Sequence, residues 1–197
     1  MENRRELRKR KKIVIKVGSS TITHEKTGQI NIEKIEKMAR RIADLKGMGK
    51  DVILVSSGAI AAGRQALGNG EKPKTLSQKQ AFSAVGQARL MMIYQKIFSE
   101  YNITTAQVLM TKSTMIEDDE EFMKMGKGTN SNVGTGGMQT KLIAAKIATA
   151  AGADMVIANG KNMDIISEVM KGRVVGTLFM AHKSKVFDLV KVIEEEV

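Results

Sequence analysis

A cluster of glycines directly precedes a long helical pattern and has the composition of a phosphate-binding loop. The cluster is Gly134-Thr135-Gly136-Gly137, and Lys141 follows one helical turn later. Glycines let backbone N–H groups converge on a phosphate oxygen, and a lysine four residues into a helix can reach the same ligand. The run is also compatible with an ordinary tight turn. It is not a Walker A loop, because Gly-x-x-x-x-Gly-Lys-Ser/Thr does not occur.

Lys16 ends a short apolar run rich in β-branched residues, immediately before Gly18. We predict a strand over residues 13–17 and a turn over 18–20. One interpretation is a lysine whose stem lies along the strand while its ammonium stays in water. The other is a phosphate-binding lysine that points into a ligand crevice. Position alone does not separate the two.

A second strand pattern ends at Ser56-Ser57-Gly58 and runs into a helix of small residues. Gly58 allows a sharp turn, and the N–H groups that follow form an anion site at the helix start. A serine at this point is more commonly the N-cap of the helix. The small residues of "GAIAAG" also allow close packing of the helix.

The elements that must position these residues follow from periodicity. Helical spacing of apolar residues predicts helices over residues 32–46, 76–100 and about 138–151, and a tail from 183 that is amphipathic or frayed. Further strands are predicted at "NITTAQVLMT", "ADMVIAN" and "RVVGTLF". Continuous apolar strands that alternate with helices predict an α/β fold with a mostly parallel sheet covered on both faces. We expect one domain.

The connections of such a sheet place the strand-to-helix turns along one edge. Right-handed crossovers put these turns at the carboxyl ends of the strands, where open α/β sheets bind ligands. The turns at Gly18, Ser57-Gly58 and Asn159-Gly160 should therefore lie along that edge. Together with Lys16 and Lys141, they favour phosphate binding over a plain turn.

The formal net charge of +11 is concentrated at the N-terminus, where the first twelve residues hold seven Lys/Arg against two Glu. We expect this basic arm, residues 1–11, to be a solvated terminus rather than a nucleic-acid-binding element. Two tyrosines, five phenylalanines and no tryptophan leave few platforms for stacking bases. The remaining positive charge suits an anionic small-molecule substrate.

Composition and residue types argue against disulfide-linked, membrane-spanning and metal-binding classes of protein. The absence of cysteine excludes disulfides and thiolate sites and fits a reducing cytoplasm. No apolar run is long enough to cross a membrane. His24 and His182 have no third ligand at metal spacing, so no protein-held metal site is expected. The acidic run at residues 117–121 is more typical of a solvated face than of a magnesium site.

Four strings resemble the glutamate 5-kinases of the amino acid kinase family. They are "IVIKVGSSTIT", "VILVSSGAIAAGRQALG", "KQAFSAVGQARLM" and "GTGGMQTKLIAAKIATAAGADMVIANG", within residues 12–180. The resemblance implies a three-layer α/β/α sandwich, a cytoplasmic location and a homo-oligomeric state. We expect one kinase-like domain over residues 12–197, without the C-terminal RNA-binding-like domain that some members carry. It implies phosphoryl transfer from ATP, with Mg2+, to the side-chain carboxylate of L-glutamate, the first step of proline biosynthesis.

The resemblance also implies roles for particular residues. Lys16 and Lys141 correspond to the cations that act on the phosphates, and Ser57 with Gly58 corresponds to the glutamate-contacting turn. A carboxylate is already ionised at neutral pH, so transfer to it needs no general base. The ATP-binding residues implied are Lys16, Gly18, Ser19, Thr135, Gly136, Gly137, Met138, Gln139, Thr140 and Lys141.

The sequence departs from the family after "VLMTKSTM". The family continues with a long central segment that includes "NEND" and "GDND" strings at the glutamate site, and neither string occurs here. We predict an internal deletion near residues 115–116, which makes the fold incomplete. If the protein truly lacks this segment, we expect inefficient glutamate phosphorylation and poor folding, and the alternative function is a catalytically silent nucleotide-binding or subunit-association module. If the printed sequence omits it, the protein is an ordinary member.

Overall fold

The computed structural model describes residues 2–68, 71–109 and 137–184. Two compact units divide the chain. Unit 1 comprises Met1–Ala106 and Ala158–Gly176, and unit 2 comprises Gln107–Ile157 and Thr177–Val197. The expected deletion near 115–116 and most of the expected C-terminal helix lie outside the described residues. The helices and strands of the described residues are α1 (Glu2–Glu6), β1 (Lys12–Val17), α2 (Ile32–Gly47), β2 (Asp51–Ser56), α3 (Ala59–Ala66), α4 (Leu76–Ser99), α5 (Met138–Ala150), β3 (Met155–Ile157), α6 (Ile165–Met170) and β4 (Thr177–Phe179).

Unit 1 is built on a parallel pair of strands joined by a crossover helix. β1 pairs with β2 in parallel, with Lys12 opposite Asp51 and Val17 opposite Ser56. α2 makes the connection that parallel strands require. Asn31 begins α2, because its side chain accepts a hydrogen bond from the Lys34 N–H at 3.0 Å. The predicted α/β class with a parallel sheet is thus confirmed, and the sheet is small.

One face of this sheet is packed and the other is exposed. Side chains alternate along both strands, and the inward set packs against α2 and α4. On the outward face Val14, Ile53 and Val55 are 65%, 62% and 47% exposed. The sequence predicted helices on both faces of the sheet, and in the described part of unit 1 one helical layer covers one face of the pair. The core residues are Val17, Ile22, Ile30, Ile35, Met38, Ala39, Ile42, Ala62, Leu90, Tyr94, Phe98 and Met163.

Helices α3 and α4 approach each other at two glycines. Gly63 of α3 lies against the backbone of Phe82, and Gly86 of α4 lies against the carbonyl of Ala59, so that a Cβ at either glycine would overlap these backbone atoms. The small residues of α3 therefore serve helix–helix packing. α4 begins with a capping box, in which Thr75 and Gln78 exchange hydrogen bonds.

Unit 2, in its described part, is a helix followed by an antiparallel strand pair. β3 pairs with β4 in antiparallel orientation, with Met155 opposite Phe179. The end of α5 is tied to the segment after β4, because the carbonyl of Thr149 accepts a hydrogen bond from the His182 N–H at 3.0 Å. Helix 138–151 and both strands were predicted from the sequence, with longer bounds for the strands. Their antiparallel pairing was not predicted.

The N-terminal arm differs from the expected solvated terminus. α1 and a 3-10 turn at Leu7–Lys9 form there, and Leu7 is buried. The Arg4 guanidinium donates hydrogen bonds to the carbonyls of Val175 and Gly176 at 2.7 and 2.8 Å. Most other residues of the arm are exposed, as expected of a solvated terminus. The sequence did not predict the contacts of Arg4, because their acceptors are 171 and 172 residues away.

The segment after α4 also differs from its prediction. A strand was expected over residues 102–111, and its described part, residues 102–109, forms none. A strand needs neighbouring backbone partners, and no strand of the described residues pairs with this segment. Val108 and Leu109 are 79% and 67% exposed. α6, in contrast, was not predicted. Among the described helices, none is both long and apolar enough to span a membrane.

The close contact of α3 with α4 makes Gly86 a sensitive position. We expect Gly86→Ala to lower the free energy of unfolding by about 1–3 kcal/mol, because the new methyl group overlaps the Ala59 carbonyl. Urea unfolding followed by circular dichroism measures the change. Gly47→Ala is the matched control, since nothing lies within 4 Å of a Cβ there, and it should be neutral or stabilising by up to about 1 kcal/mol. Equal effects at the two glycines would contradict the prediction.

Candidate functional site

The carboxyl ends of β1 and β2 lie side by side in unit 1. The in-register pairing sets Lys16 opposite Val55, and the Ser57 N–H continues the ladder by donating to the Val17 carbonyl at 3.0 Å. The turn after β1 and the turn after β2 are therefore neighbours. This arrangement agrees with the sheet-edge placement predicted from the sequence.

Lys16 lies on the exposed face of β1, and its ammonium bends toward the turn that follows. Its Nζ lies 3.8 Å from the position that a Cβ would occupy on Gly18. Among the described residues no carboxylate lies within 4.0 Å of this ammonium. Ser19 follows in an exposed 3-10 turn at Ser19–Thr21. A cation beside a glycine turn at the strand ends has the position that an anionic ligand requires.

Gly58 makes the turn after β2 and begins α3. Its φ of +119° lies in the region that favours glycine, and a Cβ there would lie 2.8 Å from Ile22 Cδ1. Gly58, not Ser57, is the N-cap, and no side chain caps α3. The first N–H groups of α3 therefore keep their capacity to bind an anion. Ser57 is exposed beside them.

Ser56 connects this turn to the core. Its Oγ lies 2.6 Å from Tyr94 Oη and donates to the Ser57 carbonyl at 2.9 Å. A serine hydroxyl has one hydrogen, so when Ser56 donates it to the Ser57 carbonyl, Tyr94 is the donor in the first bond. Burial raises the pKa of Tyr94. Tyr94 thus donates to Ser56, and Ser56 donates to the Ser57 carbonyl in the turn.

The third predicted turn also reaches this part of unit 1. Gly160 lies against Thr21, where a Cβ would come within 2.7 Å of Cγ2. The Thr21 N–H donates to the Gly18 carbonyl at 3.0 Å. The Asn159 side chain accepts from the Lys161 N–H at 2.9 Å, which stabilises the local turn. Thr21 thereby links the turn at residues 159–160 to the turn after β1.

The glycine loop of unit 2 is described from Gly137 onward. Gly137 is the N-cap of α5 without a side-chain cap, and its carbonyl accepts from the Lys141 N–H at 3.4 Å. Residues 137–141, which include Met138, Gln139 and Thr140, are exposed. Thr135 and Gly136 lie outside the described residues. The structure thus groups Lys16, Gly18, Ser19, Ser57 and Gly58 in unit 1 and the start of α5 with Lys141 in unit 2.

The two groups have the donors that a nucleotide requires. Phosphate oxygens bind to uncapped helix N-termini and to lysine ammonium groups, and each unit offers both. Mg2+ with a nucleotide is usually held by one or two carboxylates together with the phosphates. In the described ranges no group of three or more His, Asp or Glu side chains forms a metal site.

A separate ion pair joins α2 to α6 away from the predicted site residues. Arg41 Nη2 lies 2.7 Å from Asp164 Oδ1, and Nη1 lies 3.1 Å from Asp44 Oδ2. Hydrogen bonding to Arg41 lowers the pKa of Asp164. A surface cavity lies here, and none of the residues that line it is a predicted site residue. We interpret this cluster as structural.

Two residues near the site were missed from the sequence, namely Tyr94 and Thr21. Tyr94 belongs to a buried row on α4 spaced by four residues, which a helical pattern shows as core. The pattern does not identify the partner of its hydroxyl group, because Ser56 lies 38 residues away. Thr21 has no sequence signal beyond its nearness to Gly18.

Comparisons with known proteins are in line with the sequence strings. A profile of the amino acid kinase family matches residues 11–122. The chain is 35% identical to "Glutamate 5-kinase" of Clostridium perfringens over 269 positions, which cover 92% of this chain and all of the relative. It is 34% identical to the protein of that name from Clostridium tetani, over 92% and 99% of the two chains. With the one from Carboxydothermus hydrogenoformans it shares 33% identity over 89% of this chain and 69% of the relative.

The first alignment has more positions than this chain has residues in it. An alignment of 269 positions that uses 92% of 197 residues leaves roughly 90 positions of the relative opposite gaps in this chain. The relative is covered from end to end, so these positions are internal to the aligned region. This chain therefore lacks internal residues that the relative has.

The buried tyrosine predicts a pH dependence of stability. Because burial raises the pKa of Tyr94 above its ordinary value of 10.0, the unfolded chain loses this proton first as the pH rises. Its contribution to stability is therefore complete below about pH 10 and is lost above it. We expect the stability advantage of wild type over Tyr94→Phe to shrink between pH 9 and pH 11 in urea unfolding. Tyr101→Phe is the control and should keep the wild-type dependence. An advantage that is constant with pH would contradict the prediction.

Proposed function

Because the chain belongs to the amino acid kinase family, we propose that it transfers the γ-phosphoryl group of ATP to the side-chain carboxylate of L-glutamate. The relatives named "Glutamate 5-kinase" support this acceptor. The observation that carries the proposal is the adjacency of the two strand ends, with the Lys16 ammonium beside Gly18 and the Ser57-Gly58 turn next to it. This edge offers a cation, a hydroxyl and uncapped N–H groups to anionic reactants.

The proposed reaction needs no general base from the protein. A glutamate side chain is ionised at neutral pH and attacks phosphorus directly. A bond forms between a carboxylate oxygen and the γ-phosphorus while the bond to the β-phosphate oxygen breaks, and ADP leaves with that electron pair. The protein has to align the reactants and offset the charge of the phosphates. When bound with the nucleotide, Mg2+ supplies part of that positive charge.

Lys16 and Lys141 are the proposed protein cations. Lys16 stands at the end of β1, and Lys141 lies on the first turn of α5 after the Gly137 N-cap. In the proposal, residues 135–141 with Gly18 and Ser19 hold the nucleotide, and Ser57 with Gly58 holds the glutamate. The proposal further includes the first step of proline biosynthesis, a cytoplasmic location and a homo-oligomeric state, which rest on the resemblance to the family.

The second candidate is a catalytically silent nucleotide-binding or subunit-association module. The roughly 90 positions that this chain lacks against its Clostridium perfringens relative favour it. The family strings that line the glutamate site are among the residues absent from this sequence. A chain with the phosphate-binding turns but without the acceptor site would bind ATP and leave glutamate unphosphorylated.

Removal of either proposed cation should weaken nucleotide binding. We expect Lys16→Met and Lys141→Met each to raise the dissociation constant of a non-hydrolysable ATP analogue by about tenfold, the usual order for a hydrogen bond to a charged group. Isothermal titration calorimetry with Mg2+ present measures it. Lys12→Met, on the same exposed face of β1, and Lys146→Met, on α5, remove equal charge elsewhere and should bind as wild type does. If all four variants bind equally well, the assigned roles are wrong.

A turnover assay distinguishes a glutamate kinase from a catalytically silent nucleotide-binding module. We expect ADP release by the full chain to depend on L-glutamate and to stay at background with L-aspartate, whose side chain is one methylene shorter. A coupled assay of ADP, run alongside thermal unfolding with and without ATP, makes the measurement. Stabilisation by ATP without glutamate-dependent ADP release would refute the kinase proposal and support the silent module.

A further inference from the structure

The Ser57-Gly58 peptide has its orientation set by a hydrogen bond from the core side. The Ser57 carbonyl accepts from Ser56 Oγ at 2.9 Å, and Ser56 in turn accepts from Tyr94. In a planar trans peptide the C=O and the following N–H point in opposite directions. The Gly58 N–H is therefore directed away from Ser56. Among the described residues it has no hydrogen-bond acceptor.

The tyrosine that holds this peptide is itself held firmly. Tyr94 is only 5% exposed, and its ring lies 6.3 Å from that of Phe98, centroid to centroid. It stands on α4, whose close contact with α3 at Gly63 and Gly86 leaves little room for a shift. The hydroxyl oxygen of Tyr94 therefore has a well-defined position from which it can hydrogen-bond to the turn after β2.

We propose that Tyr94, acting through Ser56, is a positioning residue that keeps the Gly58 N–H turned outward to bind an anionic oxygen of a substrate. Without this support the peptide can rotate and present its carbonyl oxygen, which repels an anion. The oxygen belongs to the glutamate carboxylate or to an ATP phosphate, both of which carry anionic oxygens that accept a hydrogen bond from an N–H. This inference rests on the proposed function for its ligand, whereas the orientation of the peptide is independent of it.

Tyr94→Phe tests the proposal, because it removes the hydroxyl group and keeps the ring in the core. Calorimetric titrations with L-glutamate and, separately, with a non-hydrolysable ATP analogue show which ligand the Gly58 N–H binds. We expect about a tenfold rise in the dissociation constant of that ligand, as for a lost hydrogen bond to a charged group. With the full chain in turnover, a glutamate-binding role raises KM for glutamate more than it lowers kcat.

Tyr101→Phe is the matched control variant. It removes the hydroxyl of the only other tyrosine, whose oxygen accepts from Arg40 Nε at 3.4 Å on the surface. It should leave both dissociation constants unchanged. Ser56→Ala interrupts the same relay at its second member, so its effect and that of Tyr94→Phe should not add in the double variant.

A second readout does not depend on any ligand. The amide resonance and the hydrogen exchange of Gly58, measured by NMR, should change in Tyr94→Phe and stay as in wild type in Tyr101→Phe. If wild type binds neither ligand, the proposed function fails, and the Gly58 amide still decides whether Tyr94 orients the peptide. A Tyr94→Phe protein that is less stable but has an unchanged Gly58 amide and unchanged affinities would overturn the inference.

Discussion

The parallel pairing of β1 with β2 is the constraint on which the candidate site depends. Parallel strands end at the same edge, and the in-register pairing brings Lys16, Gly18 and the Ser57-Gly58 turn to one place. Such a pair cannot be closed by a hairpin, so α2 must cross between the strands. The buried face of α2 then packs against the inward side chains of the pair. A register shift by one residue would turn Lys16 inward and separate the two turns.

The core and the site are connected through the helices on one side of this pair. α3 and α4 pack closely at their glycines, and α4 carries Tyr94, whose Oη lies 2.6 Å from Ser56 Oγ at the end of β2. The hydroxyl of Tyr94 then reaches the turn through Ser56. A tyrosine hydroxyl with its ordinary pKa of 10.0 is protonated at neutral pH, and burial raises this pKa further, so Tyr94 keeps its proton in the neutral range. A core side chain thereby determines the direction of a backbone group at the site.

The sheet of unit 1 exposes apolar side chains on one face, and the chain lacks internal residues that its relatives have. Val14, Ile53 and Val55 are apolar side chains on a sheet face that stays largely exposed. A parallel sheet is usually covered on both faces. The Clostridium perfringens relative has roughly 90 internal positions that this chain lacks. Residues 102–109 form no strand, since a strand needs neighbouring backbone to pair with and no described strand pairs with this segment.

The sequence by itself determined the local elements and the chemical character of the turns. Apolar periodicity predicted β1, β2, α2, α4 and α5, and glycine at position 58 predicted the sharp turn, because these features depend on residues close in sequence. Only the tertiary structure decided the partners of polar groups. Arg4 reaches carbonyls beyond residue 170, and Tyr94 reaches Ser56, across separations that no local pattern encodes. A hydrogen bond depends on the positions of two atoms in space, and folding alone brings distant parts of the chain to those positions.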